Sequence, residues 1–379
     1  MDSPATSEEE ALVRIREAAN TSAHWLDLRD LNLTALPAEI GQLTKIQTLL
    51  LDANQLTALP PEFCQLKSLV YLSLRSNHFS EFPQELCQLS GLKKLIFDDN
   101  QLTAIPPEIG QLISLVYLNL DQNQLTELPT QICDLRLLEC IVIRENQLQA
   151  LPPEFGQLKL LVELLLDGNR LSALPPEFGQ LSSLQMLQIR QNQLEALPPE
   201  FGQLMSLKSL SLEENQLSAL PTEFGQLFNL QILSLESNRL TDLPPEIGQL
   251  KFLECLYLDE NQLSKLPPQI GQLTSLKRLS LSGNNLSALP PELFHLTALE
   301  SLNLDENQLT ELPPQIGQLK ALEELFLDAN RLNSLPVEVS QLCSLKQLSL
   351  LENKFSAPPP ILSQLQSLQT LSVEEPKGG

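Results

Sequence analysis

Leu230-Gln231-Ile232-Leu233-Ser234-Leu235-Glu236-Ser237-Asn238-Arg239-Leu240-Thr241-Asp242-Leu243-Pro244 is one copy of a pattern, L-x-x-L-x-L-x-x-N-x-L-x-x-L-P, that runs through most of the chain. Its asparagine recurs every 23 residues, at Asn54, Asn77, Asn100, Asn123, Asn146, Asn169, Asn192, Asn215, Asn238, Asn261, Asn284, Asn307, Asn330 and Asn353. A fixed period of this length marks an architecture of stacked units, each in contact with its neighbours. The L-x-L step has period two and reads as a short strand with its leucines on one face. A lone unit buries too little apolar surface to offset its ordering entropy, so the units must stack, strand beside strand in a parallel sheet. The asparagine falls in the turn after the strand, where its amide is expected to bond backbone groups of its own coil and the next.

The rest of the unit returns the chain to the next strand. Prolines such as Pro60, Pro83 and Pro106 fix an extended path. Pro245-Glu246-Ile247-Gly248-Gln249-Leu250 and its equivalents then read as a brief helical or 3-10 turn. Glutamate near the start of that turn (Glu62, Glu108, Glu154, Glu177, Glu200, Glu223, Glu246) meets the end of the peptide dipole that favours negative charge. Phe155, Phe178, Phe201 and Phe224 recur in this turn and read as a column filling the core.

Composition agrees with one repetitive body. The 28 prolines are spread evenly along 379 residues, and at 42% hydrophobic the chain has ample material for a core. No apolar run approaches the roughly 20 residues that span a bilayer. Met1-Asp2-Ser3-Pro4 has neither a basic start nor a greasy stretch, so no secretory signal is expected. The net charge of -23 repels phosphate backbones and anionic membranes, which argues against a nucleic acid or membrane binder. The expected organisation is a tail at 1–6, a capping helix at 7–23, a repeat array at 24–375 of fourteen full units plus terminal partial ones, and a tail at 376–379. Ser7 and Glu10 make a capping box, and Leu12, Ile15 and Ala19 share one side of that helix, which would cover the open end of the stack. At the other end Leu365, Leu368 and Leu371 have no obvious cover, which suggests fraying or self-association there.

Catalytic chemistry is hard to find. His24, His78 and His295 fall in three different columns on distant units and cannot converge on a metal or a nucleophile. No G-x-S-x-G, H-E-x-x-H or C-x-x-C occurs, and the acidic pairs lie on an open sheet where nothing is expected to shift a pKa. We expect no enzyme, no cofactor, no metal and no small-molecule substrate. Cys64, Cys87, Cys133, Cys140, Cys255 and Cys343 form no disulfide framework, which points to a reducing, cytoplasmic setting; Cys64 and Cys87 share a column on neighbouring units and could pair under oxidation.

Pleating places the residues two, four and six positions before each asparagine on the exposed face of the sheet. The nearest column reads Arg29, Asp52, Arg75, Asp98, Asp121, Arg144, Asp167, Arg190, Glu213, Glu236, Asp259, Ser282, Asp305, Asp328, Leu351. Its first half alternates in sign and can pair across strands about 4.8 Å apart. Its second half gathers like charges at Glu213, Glu236 and Asp259 and at Asp305 and Asp328, with Glu214, Glu260 and Glu306 alongside. Those rungs read either as a solvated face or as a surface steering a basic partner. Single carboxylates on successive rungs do not build a calcium cage. The other two columns carry an apolar cluster at Tyr71, Ile96, Tyr117, Cys140, Val142, Leu165 and Met186, with Ile232, Tyr257 and Phe326 further along, the usual anatomy of a contact site.

These residues are the leucine-rich repeat signature. The wording Leu243-Pro244-Pro245-Glu246-Ile247-Gly248-Gln249-Leu250 resembles the 23-residue class of Ras-group repeat proteins and bacterial Roco proteins, over roughly 24–375. The opening Leu26-Asp27-Leu28-Arg29-Asp30-Leu31 after a helix looks like the start of Roco repeat regions, although no G-x-x-x-x-G-K-[ST] segment occurs, so no GTPase activity is implied here. The resemblance implies an α/β solenoid, a right-handed horseshoe with a parallel concave sheet and short helical or 3-10 turns on its convex side. It further implies a non-catalytic, intracellular signalling or scaffolding module that binds a protein partner on the concave face, with a small GTPase as one candidate. The alternative is a substrate-recognition arm of an effector or ubiquitin-ligase-type system whose effector domain lies on another chain.

Overall fold

A computed structural model describes residues 7–374 of the chain. The tails expected at 1–6 and 376–379 lie outside the described residues. The chain divides into two compact units, the first ending at Asn192 and the second beginning at Gln193. The first holds eight strands of three residues, from Trp25–Asp27 to Met186–Gln188, and the second holds eight more, from Ser209–Ser211 to Thr370–Ser372. Within each unit the strands pair in parallel in chain order. Every pair is offset by the sequence period, Trp25 opposite Thr48 in the first unit and Leu233 opposite Leu256 in the second. The parallel sheet and the 3-10 turns expected from the sequence are both present.

The leucine pattern accounts for the interior. Leu230, Leu233, Leu235 and Leu240 are fully buried, as are their counterparts on nearly every other rung. A leucine so placed contributes roughly 1.5–3 kcal/mol by leaving water. The outer-turn phenylalanines Phe155, Phe178, Phe201 and Phe224 are also fully buried, and the Phe201 and Phe224 rings lie 6.2 Å apart and nearly parallel. The outer turns are 3-10, as at Pro245–Gln249, entered through an extended proline such as Pro244 at φ -66° and ψ 144°. One differs: Gln84–Cys87 is a single α-helical turn.

The ladder asparagines hold one coil to another. Asn238 accepts the Leu217 N–H at Oδ1 over 3.0 Å and donates from Nδ2 to the carbonyls of Leu212 (2.9 Å), Leu235 (3.1 Å) and Glu236 (3.2 Å). Its inter-coil bonds therefore run to the preceding coil, whereas the sequence pattern suggested the next one. The direction follows from geometry, because the turn after each strand folds back over the coil already laid down. The residue before each ladder asparagine pays the conformational cost. From Ala53 to Glu352 all fourteen have φ between 50° and 65°, and glycine supplies that conformation only at Gly168 and Gly283. Elsewhere non-glycine residues, including Glu214, Glu260 and Glu306, are held in the left-handed region by the turn they belong to.

The N-terminal helix α1 spans Ser7–Thr21 and buries Ala11, Ile15 and Ala18, so its covered stripe is centred slightly to one side of the Leu12, Ile15, Ala19 line; Leu12 and Ala19 are half-buried. Arg14 ties it to the first strand by donating to the Asp27 carbonyl at 3.1 Å. Near the other end, Leu371 is 41% exposed, while Leu348 on the preceding strand is 1% exposed.

Close coil spacing has a direct consequence at the outer-turn glycines. A Cβ added at Gly271 would sit 2.1 Å from the Glu292 carbonyl oxygen, a backbone atom that cannot step aside. At Gly91 the nearest atom would be 3.5 Å away. We predict that Gly271→Ala destabilises the chain by about 1–3 kcal/mol through overpacking. Gly91→Ala should be neutral or stabilising by up to about 1 kcal/mol. Thermal or urea unfolding of the two variants checks the contrast, and equal midpoints would contradict it.

Candidate interaction surface on the open face of the sheet

In every strand but the last, where Leu371 is exposed, the middle residue is a buried leucine or isoleucine and its two neighbours face outward, which places the three columns read from the sequence on the open face. In the first unit Tyr71, Ile96, Tyr117, Cys140, Leu165 and Met186 are half-buried there. Val142 is not a surface residue: it is 4% exposed. It lies between Asn119 and Leu165 on the flanking strands, and its short branched side chain reaches less far out than a leucine would.

Two side chains on this face escape the sequence reading. Trp25, the only tryptophan, is 55% exposed on the first strand. Lys94 stands between two tyrosines, its Nζ 4.2 Å from the Tyr117 ring centroid and 5.5 Å from that of Tyr71. A cation held over aromatic faces at such a site is worth about 0.5–1 kcal/mol. Both residues fall six positions before a ladder position, so writing that column out in full from residue 25 would have found them. Next along, the Cys140 thiol lies 3.7 Å from a Glu163 carboxylate oxygen. Burial, reinforced by that negative charge, pushes the thiol up to about 12, so it is a poor nucleophile.

The charged column is less exposed than pleating alone suggests. Asp98, Asp121 and Asp167 are buried, with the guanidinium groups of Arg75, Arg144 and Arg190 lying over them at 3.0, 2.6 and 3.3 Å. The alternating signs therefore do pair across strands, except that Arg29 turns to Asp27 of its own strand at 2.8 Å. These carboxylates also do backbone work. Asp52 accepts the N–H of Arg75 at 3.0 Å, Asp121 that of Arg144 at 2.6 Å and Asp167 that of Arg190 at 2.8 Å. Each bond runs from one coil to the residue in the same column of the next. Where the own-strand position four before the asparagine is Asn, as at Asn119, its Oδ1 takes the N–H of Asp121 instead, at 2.9 Å.

The second unit follows the same rule. Asp259 accepts the Ser282 N–H at 2.7 Å and the Ser280 hydroxyl at 2.5 Å. Asp305 accepts the Asp328 N–H at 2.6 Å. Asp328 accepts the Leu351 N–H and the Ser349 hydroxyl, both at 2.6 Å. The sequence carries a trace of this in an aspartate followed 21 residues later by serine, at Asp52 and Ser73, Asp259 and Ser280, and Asp328 and Ser349. Glu213 and Glu236 sit in the same column, half-buried, and Tyr257 and Phe326 are half-buried in the next. The expectation that nothing on this face shifts a pKa is wrong. Burial, with Glu213 and Asp259 adding repulsion, pushes Glu236 up to about 7. Burial, with Asp328 and Glu306 adding repulsion, pushes Asp305 up to about 6. The coils lie close enough to strip water from carboxylates that an isolated strand would leave solvated.

Among the described residues no group of three or more His, Cys, Asp or Glu side chains could hold a metal ion, and no helix is long and apolar enough to cross a membrane. All six cysteines are free.

Residues 21–79, 90–148 and 159–217 match the family described as leucine rich repeat, residues 221–307 that described as leucine-rich repeat region, and residues 298–319 a further leucine rich repeat description. Among solved structures, a leucine-rich repeat protein of Leptospira interrogans is 39% identical, with a TM-score of 0.83, covering 94% of this chain and 97% of that one. A TDR receptor is 29% identical with a TM-score of 0.75, covering 94% of this chain and 69% of that one. An internalin (InlF) of Listeria monocytogenes shares the fold at 20% identity and a TM-score of 0.70, covering 98% of each chain. No curated protein matches. The chain belongs to the leucine-rich repeat proteins. Proteins of this family are generally interaction modules for other proteins, on a scaffold that is generally non-enzymatic.

The raised carboxylates make stability depend on pH. Glu236 has an ordinary value of 4.5 and titrates near 7 when folded, so between those values the folded state holds a proton that the unfolded chain has lost. Its contribution is therefore complete below about 4.5 and is lost as pH rises through about 7; Asp305 behaves likewise between 3.8 and about 6. We predict that Glu236→Gln is more stable than the parent at pH 8 by about 1 kcal/mol, after discounting for the group's partial exposure. The gap should close near pH 4.5. Chemical denaturation at the two pH values checks this, and a pH-independent gap would contradict it.

Proposed function

We propose that this chain is a non-catalytic interaction module that holds a partner protein against the concave face of its sheet. The observation that carries the proposal is the cluster of Tyr71, Lys94 and Tyr117, with the lysine over both rings. Core packing does not call for these side chains, because the buried leucines between them already fill the interior. Large amphipathic groups fixed on a rigid, partly exposed surface lose little further entropy on binding, which is why tyrosine is enriched at contact sites. Ile96, Leu165 and Met186 extend the apolar surface around them. Tyr257 and Phe326 are further anchors in the second unit, where Glu213, Glu236, Asp259, Asp305 and Asp328 favour a partner patch of positive charge.

The six free thiols, none in a paired terminal cluster, suit a reducing compartment, and the cytoplasm is the setting we favour. The likeness to Ras-group repeats makes a small GTPase or another signalling protein the first partner to try. One of the similar structures is named as a receptor.

The test is partner capture by the full chain, with the retained proteins identified and their affinity measured. We predict that Tyr71→Ala combined with Tyr117→Ala weakens binding by at least about tenfold, as the loss of two anchors requires, with the melting temperature within about 2 °C of the parent. Steep weakening with salt would point to the charged rungs, and indifference to salt to the aromatic ones. Unchanged affinity in the double variant would remove this surface from the account.

A further inference from the structure

We propose that Asp98 and the Tyr71–Lys94–Tyr117 cluster form a binding site for an extended, acidic peptide segment that brings a neutral N–H donor to the Asp98 carboxylate. This deepens the interaction reading above and rests on it.

Asp98 is 8% exposed, and its Oδ1 has no hydrogen-bond partner in the protein. The cause is local. In this column a carboxylate ordinarily accepts the N–H of the corresponding residue on the next coil, as Asp52, Asp121 and Asp167 do. Asp98 is denied that bond because Asn119 takes the Asp121 N–H. Arg75 reaches only the other oxygen, through Nε to Oδ2 at 3.0 Å. A buried acceptor left open on a binding face is completed by a donor from outside, and its satisfaction adds to the affinity of whatever supplies it.

The surroundings select the rest of the ligand. The Arg75 and Arg144 side chains are 62% and 41% exposed, and the carboxylates paired with them, on Asp98 and Asp121, only 11%. In these two pairs the charge that solvent and a partner meet is therefore the positive one, although the whole chain carries -23. Lys94 already occupies both tyrosine faces, so an incoming lysine or arginine would find its aromatic seat taken and three cations beside it. A carboxylate meets Lys94, Arg75 and Arg144 instead. The donor to Asp98 must then be uncharged, and a backbone amide qualifies. Asp98 is buried while the tyrosines and the Arg75 and Arg144 side chains around it are half-buried or exposed, so a broad folded surface would meet those first. The edge of an extended segment is narrow enough to reach it.

The experiment is selection from a random-sequence peptide library on the immobilised full chain, followed by measurement of Kd for the selected peptides on the parent and on Lys94→Met and Asp98→Asn. Thermal melting confirms that both variants fold; Lys94→Met keeps an unbranched side chain of similar length without the charge. The expected result is enrichment of Asp and Glu over the input library, with affinity lower by about tenfold in Lys94→Met, the size of one lost charge-assisted hydrogen bond, and by about threefold or more in Asp98→Asn, whose amide oxygen still accepts but without the charge. Enrichment of Lys and Arg, absence of any enrichment, or parent-like Kd in both variants would overturn the proposal. Peptides that ignore Lys94→Met and Asp98→Asn but are lost with Tyr71→Ala and Tyr117→Ala would overturn this chemistry and leave the interaction reading standing. Peptides indifferent to all four substitutions would overturn both.

Discussion

A side-chain amide bonded to two coils at once is the constraint from which the other features of this protein follow. Asn169 shows the pattern in the first unit: its Oδ1 accepts the Leu148 N–H at 3.0 Å, while its Nδ2 donates to Ile143 in the preceding coil at 2.8 Å and to Leu166 in its own at 3.0 Å. Leucine packing alone is non-directional and leaves the coils free to shift slightly against one another. The amide does not. Its donors and acceptor are buried and must be met, so each coil is seated at one register, and a slip would leave several polar groups unsatisfied. The left-handed residue before each asparagine is the local expense of aiming that amide.

Fixed register is what turns a repeated sequence into a surface. Equivalent residues on successive coils become neighbours a strand spacing apart, so a substitution on one rung is felt by the next. The aspartates on the open face illustrate both uses of this. Asp121 covers the Arg144 N–H and also pairs with the Arg144 guanidinium, which makes it part of the scaffold. Asp98 sits one rung earlier in the same column and, for want of one N–H, is left with an oxygen to offer. The hydrogen bonds each carboxylate makes are thus set rung by rung, by which neighbour happens to be Asn, Ser or Arg. The chemistry of the face can vary along the chain without disturbing the coil.

The repeat, the parallel sheet and the buried leucines were legible in the sequence because each depends on spacing alone. The outward columns were legible for the same reason, and Tyr71, Tyr117, Met186, Glu236 and Asp305 lie where pleating puts them. What spacing could not reveal is depth. Val142 is outward by periodicity and still buried, because exposure depends on how far a side chain reaches. The acceptor role of the aspartates was hidden because it joins residues 23 apart through the backbone of one and the side chain of the other. The elevated titration of Glu236 was hidden because an isolated strand would leave that carboxylate wet. The direction of the amide bonds, toward the coil already laid down, also needs the turn geometry and not merely the position of the asparagine.

Backbone amide hydrogen exchange tests the asparagine ladder most directly. The N–H groups of Leu148, Leu217 and Leu240 lie outside every strand and outer turn, and each donates to a ladder asparagine Oδ1 at 3.0 Å. They should exchange as slowly as the strand-end amide of Leu235, which bonds the Tyr257 carbonyl at 2.9 Å. Exchange at the rate of an unstructured chain would mean that the amides do not hold the coils in register.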